Sequence, residues 1–122
     1  MKVFAQIMIA LVAVEHLYIL WIEMFAWTTK GKATFKTLPP HLFEQTTTLA
    51  ANQGLYNGFL AAGLIWSLLI SDPLWAKNVA LFFLACVVVA GLYGGLTAGK
   101  SIIIKQALPA LIALALVLVT FN

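Results

Sequence analysis

Four long apolar windows constrain this chain more than any other feature of its sequence. A helix needs about 20 mainly apolar residues to cross the hydrocarbon core of a bilayer, which is about 30 Å thick. Four windows meet that requirement, at about residues 3–27, 51–71, 78–98 and 101–121. Because little else remains, the sequence predicts an all-α integral membrane protein. It has one membrane domain, residues 1–122, with four transmembrane helices in an up-down bundle.

The composition agrees with a surface that faces lipid. Hydrophobic residues make up 63% of the sequence and charged residues 9%, and the mean hydropathy is +1.02. A soluble domain carries about 25% charged residues, so the lipid bilayer is the predicted partner of most of the surface. All seven basic residues are Lys, whereas nucleic-acid readers cluster their cations and use Arg forks. No nucleic-acid partner is therefore predicted.

The connections between the windows differ in length and charge. The first one, residues 28–40, is long and basic, and the other two are short. Proline suits the first turn of a helix, so the second helix is predicted to begin near Pro40. It then extends through the headgroup region and ends near residue 71. Pro109 is predicted to bend the fourth helix, because it removes a backbone donor.

The distribution of lysines predicts an orientation in the membrane. An even number of spans places both termini on one side, together with Lys2 and Lys77. The opposite side holds five lysines: Lys30, Lys32, Lys36, Lys100 and Lys105. Cytoplasmic loops carry the excess of positive charge, so the side with five lysines is predicted to be cytoplasmic. The protein is thus predicted to be a multi-pass protein of the cytoplasmic membrane with both termini extracytoplasmic.

Ionisable residues within the first window point to a functional site. In the stretch VAVEHLYILWIEMF, Glu15 and His16 lie at the midplane of the span. Glu23 lies about 12 Å nearer the cytoplasm, at a rise of about 1.5 Å per residue. A charge at the centre of a span costs about 2.5–3.5 kcal/mol, so such groups are candidates for function. The second window adds polar residues at matching depth in NQGLYNG, and the third adds Tyr93.

These side chains predict a polar cavity that is open to the cytoplasm and lies between the first two helices. At about 100° per residue, His16 and Glu23 lie on nearly the same face of their helix. Glu15 and His16 are predicted to form the floor of the cavity and to act as its proton-titrating centre. The predicted ligand-binding or proton-titrating residues are Glu15, His16, Glu23, Asn52, Gln53, Tyr56, Asn57 and Tyr93.

Glycines at four-residue spacing predict close helix contacts. Such spacing lets two helix backbones approach each other, either within one chain or between copies. The glycines concerned are Gly54 and Gly58 in the second window, and Gly91, Gly95 and Gly99 in the third.

The polar residues also have simpler interpretations. Glu15 and His16 are consistent with hydrogen bonds that only fix the packing of the bundle. Glu23 is consistent with an interfacial residue beside Trp27. No HxxxH or ExxH spacing lies on one helix face, so no metal site is predicted, and no cofactor either.

Two stretches carry a resemblance to a known family. EHLYILWIEMF, residues 15–25, followed by NQGLYNGFLAAGL, residues 52–64, resembles the small four-span bacterial membrane proteins of domain-of-unknown-function family 1304. The similarity covers nearly the whole chain, and NQGLYNG is its most specific part. The resemblance implies a four-helix integral membrane fold and no established activity.

Three functions remain open. The first is a protein that binds or transports a small polar or cationic ligand, or protons, through the predicted cavity. Four short helices leave little interior for a pathway, so a homo-oligomer is expected. The second is a structural or accessory subunit whose polar cluster locks the bundle. The third is a membrane-embedded enzyme that acts on a lipid headgroup, with Glu15 and His16 as acid and base. The sequence favours the first function and does not identify the ligand.

Overall fold

The computed structural model describes residues 2–121, so Met1 and Asn122, the ends of the predicted domain, lie outside it. All regular secondary structure in the described residues is helical, as the sequence predicts. The α-helices are α1 (Lys2–Phe25), α2 (Lys32–Thr34), α3 (Thr47–Leu69), α4 (Pro73–Thr97) and α5 (Leu108–Thr120). Four of them are long, and α2 is a single turn within the first connection.

Three of the described segments are long and apolar enough to cross a membrane. They are α1, α4 and Ile103–Thr120, which contains α5. The predicted second span corresponds to α3, which does not reach the same hydropathy because Asn52, Gln53 and Asn57 interrupt its apolar sequence. The three segments indicate a multi-pass membrane protein, and the predicted count of four spans is not confirmed.

The four long helices form a bundle in which neighbours along the chain are antiparallel. α1 packs against α3 and α5, and α4 packs against the same two helices. The ammonium of Lys2 lies 5.1 Å from the centre of the Phe121 ring, so the first and last described residues meet at one end. This is the up-down topology that the sequence predicts.

An apolar core fills the half of the bundle that contains these two chain ends. Small residues, among them Ala13, Ala80 and Ala110, are completely or almost completely buried where the helices meet. Larger side chains such as Ile9 and Leu84 fill the space between them. Lipid tails are as apolar as these side chains, so close van der Waals packing between the helices, rather than removal of apolar surface from water, stabilises such a core in a bilayer. The core leaves Glu23 of α1 and the amides of α3, Asn52, Gln53 and Asn57, to the other half of the bundle.

The first connection is held across the end of α1 by aromatic contacts. At the predicted start of the second helix lie two 3₁₀ turns, Pro40–Leu42 and Glu44–Thr46, and α3 begins directly after them. Phe43, between these turns, is 1% exposed, and its ring centre lies 4.8 Å from that of Trp27. The Trp27 indole donates a hydrogen bond of 3.0 Å to the Thr46 hydroxyl. These contacts fix the start of α3 against the end of α1.

A π turn, Ile103–Ala107, lies directly before Pro109 in the last helical segment. Pro109 has no N–H, so the carbonyl of Lys105 lacks its α-helical donor four residues later. The N–H of Leu108 instead donates to the carbonyl of Ile103, five residues earlier. The turn lies against Gly91, where a Cβ would come within 2.7 Å of the Ala107 nitrogen. Only glycine fits at this contact.

Candidate functional site

Glu23 is the centre of a hydrogen-bonded cluster between α1 and α3. The residue is 2% exposed. Asn57 Nδ2 donates to its Oε1 at 2.7 Å, and Gln53 Nε2 donates to its Oε2 at 2.9 Å. Both donors are neutral amides, and the described part of the chain gives Glu23 no basic partner. An ionised Glu23 therefore keeps a negative charge that no neighbouring cation balances.

The cluster depends on the close approach of α1 and α3 at Gly54. A Cβ at this position would lie 3.0 Å from the Glu23 Cβ and 3.2 Å from the Leu20 carbonyl oxygen. Both distances are shorter than an ordinary van der Waals contact. One turn later, a Cβ on Gly58 would lie 2.6 Å from Leu20 Cδ1. Because Gly54 and Gly58 have no side chains, α1 and α3 can approach each other closely, and the amides of α3 then reach Glu23.

A cavity of about 800 Å³, here called the Glu23 cavity, adjoins this cluster. Five of the eight predicted site residues line it: Glu23, Gln53, Tyr56, Asn57 and Tyr93. Trp27, just after α1, and Phe35, in the first connection, add two further aromatic side chains. Its volume lies in the range of about 300–1,000 Å³ that is typical of small-molecule sites. A carboxylate among aromatic rings is an arrangement suited to a cation.

Glu15 lines a second cavity of about 690 Å³, here called the Glu15 cavity. Its Oε1 atom is buried and has no hydrogen-bond partner among the described residues. Lys36 from the first connection and Lys105 from the π turn line the same cavity. The two cavities adjoin, because they share the lining residues Ile19, Phe35, Thr37, Ala98, Ile102 and Gln106.

His16 and Asn52 line neither of these two cavities. His16 is 1% exposed, and its Nδ1 lies 2.8 Å from the carbonyl oxygen of Val12, one turn earlier on α1. Asn52 is exposed and donates to the Thr48 carbonyl at 2.9 Å. Successive residues of a helix point about 100° apart, and the structure accordingly places Glu15 and His16 in different surroundings. Within the described residues, no group of three or more His, Cys, Asp or Glu side chains is arranged to hold a metal ion.

Comparison with known proteins supports the resemblance found in the sequence. The model of a family described as "Protein of unknown function (DUF1304)" matches residues 10–118. The chain belongs to this family. It is 33% identical over 116 residues to the uncharacterized protein YpaA of Lactococcus lactis subsp. lactis (strain IL1403), a match that covers 93% of this chain and 96% of YpaA. No solved structure matches the chain.

The cavities of this DUF1304 protein also contain residues that the sequence did not assign to a site. Trp27 resembles an interfacial aromatic residue in the sequence, and Phe35 belongs to a connection that appears only basic and flexible. Gln106 lines both cavities, although it follows Lys105 at the start of the last window. Its place in the last window predicts the same depth as that of the other polar residues, and this is the one signal in the sequence that points to it.

Proposed function

We propose that this protein crosses the cytoplasmic membrane four times and binds a small organic ammonium ion in the Glu23 cavity. One observation carries the proposal. Glu23 is 2% exposed, its described hydrogen-bond partners are two neutral amides, and it lines a cavity of about 800 Å³. Burial of a charge without a partner is costly, so a ligand that supplies the opposite charge and N–H donors would be stabilised there.

The surroundings of Glu23 favour an ammonium ligand over a neutral one. Trp27, Tyr56 and Tyr93 line the same cavity, and the faces of aromatic rings attract cations. Gln53 and Asn57 hold the carboxylate in one direction before a ligand arrives. Such preorganisation lowers the cost of ordering the site on binding.

Two features support α3 as a fourth membrane crossing. The helix has 23 residues and is therefore about 34 Å long, which exceeds the thickness of the hydrocarbon core. Its amides also donate hydrogen bonds within the protein, from Gln53 and Asn57 to Glu23 and from Asn52 to the Thr48 carbonyl. Polar groups that are paired internally are tolerated at membrane depth. The end of α1 near Glu23 then leads into the lysine-rich connection, so the Glu23 cavity opens on the cytoplasmic side.

Binding, rather than transport, is proposed as the activity of a single copy. The apolar core fills the half of the bundle beyond the cavities, so the described residues of one copy offer no polar path across the membrane. Transport would need a path between copies, and a homo-oligomer is proposed only in that case.

Calorimetric titration of the purified full-length protein in detergent with ethylammonium tests the proposal. Saturable binding is expected for the ammonium ion, and none for ethanol, a neutral molecule of similar size. Glu23→Gln keeps the shape of the side chain and removes its charge. It should weaken ethylammonium binding about tenfold or more, the effect of one lost charge-assisted hydrogen bond. Glu44→Gln removes an exposed carboxylate and is expected to bind like the wild type.

Two results would count against the proposal. One is the absence of saturable binding to the wild-type protein, and the other is equal affinity in the two variants. If Glu23→Gln also lowered the helix content measured by circular dichroism while the wild type bound nothing, Glu23 would be a packing residue of a structural subunit.

A further inference from the structure

We infer that the ligand is a zwitterion that carries a phosphate as well as an amine, and that the Glu15 cavity receives the phosphate. The inference rests on the proposed function, because the amine is placed on Glu23, and it names the class of ligand. That class is an aminoalkyl phosphate. Its chemistry is shared by the headgroup of an ethanolamine phospholipid and by free phosphoethanolamine.

The two adjoining cavities differ in charge. Glu23 is the one acidic side chain among the described residues that line the Glu23 cavity, and no Lys lines it. Glu15, Lys36 and Lys105 line the other cavity. Two lysines outweigh one carboxylate, so the Glu15 cavity is positive whether or not Glu15 is ionised. A short molecule with opposite charges at its two ends matches this pair of cavities.

Both lysines line the Glu15 cavity and are next in the chain to residues that line both cavities, here called the junction. Lys36 stands in the chain between Phe35 and Thr37, and both of these residues line both cavities. Lys105 directly precedes Gln106, which also lines both. Lysine has a long, flexible stem and carries its charge at the tip, so the two ammonium groups can reach a phosphate at this junction.

Neutral donors at the junction suit the same group. The Thr37 hydroxyl and the Gln106 amide belong to residues shared by the two cavities. A phosphate has several acceptor oxygens, and hydroxyl and amide groups donate to it readily. Ile19 and Ile102, also shared, offer an apolar surface to the short carbon chain that links the phosphate to the amine.

Substitution of Glu15 tests whether the Glu15 cavity receives a phosphate or a second amine. The Glu15 carboxylate repels a phosphate in the same cavity, so Glu15→Gln should strengthen binding of an aminoalkyl phosphate. If the Glu15 cavity instead received a second amine, the unpartnered Oε1 of Glu15 would be the acceptor for it. The same substitution would then weaken binding.

Calorimetry with two probes, ethylammonium and phosphoethanolamine, separates the amine from the phosphate. The wild-type protein is expected to bind phosphoethanolamine about tenfold more tightly, the gain from one charge-assisted contact. Lys36→Gln and Lys105→Gln should each remove most of that preference. Neither substitution should weaken the binding of ethylammonium, because each removes a positive charge that repels this positively charged ligand. Lys32→Gln is the matched control, since Lys32 is an exposed lysine of the same connection and lines neither cavity.

The outcomes distinguish this inference from the proposed function. If the wild type binds both probes equally, or if the lysine variants keep the preference, the phosphate site is overturned and the amine site stands. If neither probe binds, the proposed function fails, and the inference fails with it. Reconstitution in phosphatidylglycerol vesicles with and without phosphatidylethanolamine then identifies the source. Suppression of phosphoethanolamine binding by the ethanolamine lipid would assign the site to the lipid headgroup, and undiminished binding would assign it to the free molecule.

Discussion

The Glu23 carboxylate accepts one amide hydrogen bond on each oxygen, and the shorter bond comes from Asn57. A carboxylate that has been removed from water needs such donors, because a buried acceptor without one is costly. The two amides therefore stabilise the buried oxygens and also fix their direction at the cavity wall. Both effects should be lost together when one amide is replaced.

Replacement of Asn57 by leucine tests this at the scale of one residue. Asn57→Leu should lower the free energy of unfolding by about 1–3 kcal/mol, because Glu23 Oε1 loses its donor. Unfolding in mixed micelles measures the change. Asn52→Leu is the control, since Asn52 is exposed and donates to the Thr48 carbonyl of its own helix. Its effect should stay within about 0.5 kcal/mol. Equal losses in the two variants would show that the bond to Glu23 has no special role.

The depth of the site residues could be predicted from the sequence, but their partners could not. Depth follows from the helical rise, so Glu23, Gln53 and Asn57 were expected in the same half of the bundle. The predicted floor of Glu15 and His16 depended on their midplane position and on the helix face that they were expected to share with Glu23. Which carboxylate meets the amides depends on how α1 and α3 are rotated about each other, and the sequence does not give that rotation.

At the scale of helices, the contact at Gly54 determines this geometry. Gly54→Ala adds a Cβ 3.2 Å from the Leu20 carbonyl oxygen, and a backbone atom can move only with its helix. The variant should lose about 1–3 kcal/mol in the free energy of unfolding, as overpacked contacts do. It should also bind ethylammonium more weakly, because α3 carries Gln53 and Asn57 away from Glu23.

Gly99→Ala is the matched control for this prediction. The nearest atom to its added Cβ, Thr37 Cγ2, would lie 3.4 Å away, an ordinary contact. Micelle unfolding and calorimetry should both show values close to the wild type. If Gly54→Ala also behaves like the wild type, the close approach of α1 and α3 is not what holds the cluster together.

The glycine spacing shows where helices approach closely, but not what they approach. Gly54 and Gly58 face α1, whereas Gly91 and Gly95 face the π turn before α5. Sequence periodicity assumes a regular helix, so a π turn is invisible to it. Pro109 indicated an irregularity nearby, because it lacks the backbone N–H that a regular helix needs at this position.

At the scale of the whole molecule, the bundle has two unlike halves. One contains the described chain ends and a tight apolar core, and the other contains both cavities. This division could be predicted, because Glu23, the amides of NQGLYNG and Tyr93 were all expected in the same half of their windows. Hydropathy alone does not predict the number of membrane crossings, because the amides that form the site also lower the hydropathy of α3.

Cysteine labelling tests the four crossings and their direction. In a Cys86→Ala background, Ala33→Cys and Ser71→Cys each place one thiol at an exposed position, before and after α3. A membrane-impermeant maleimide should label position 71 in intact cells and position 33 only after lysis. Labelling of both positions under the same condition would mean that α3 does not cross. The opposite pattern would keep four crossings and reverse the orientation.

The most direct test of the central claim observes the Glu23 carboxylate itself. The chain has three glutamates, Glu15, Glu23 and Glu44, so three carboxyl signals are expected from protein labelled with ¹³C at the glutamate side-chain carboxyl. Substitution of each residue by glutamine assigns its signal. On addition of ethylammonium, the Glu23 signal should move and saturate, while that of the exposed Glu44 should not. A Glu23 signal that stays fixed while ethylammonium binds would show that the ligand site lies elsewhere.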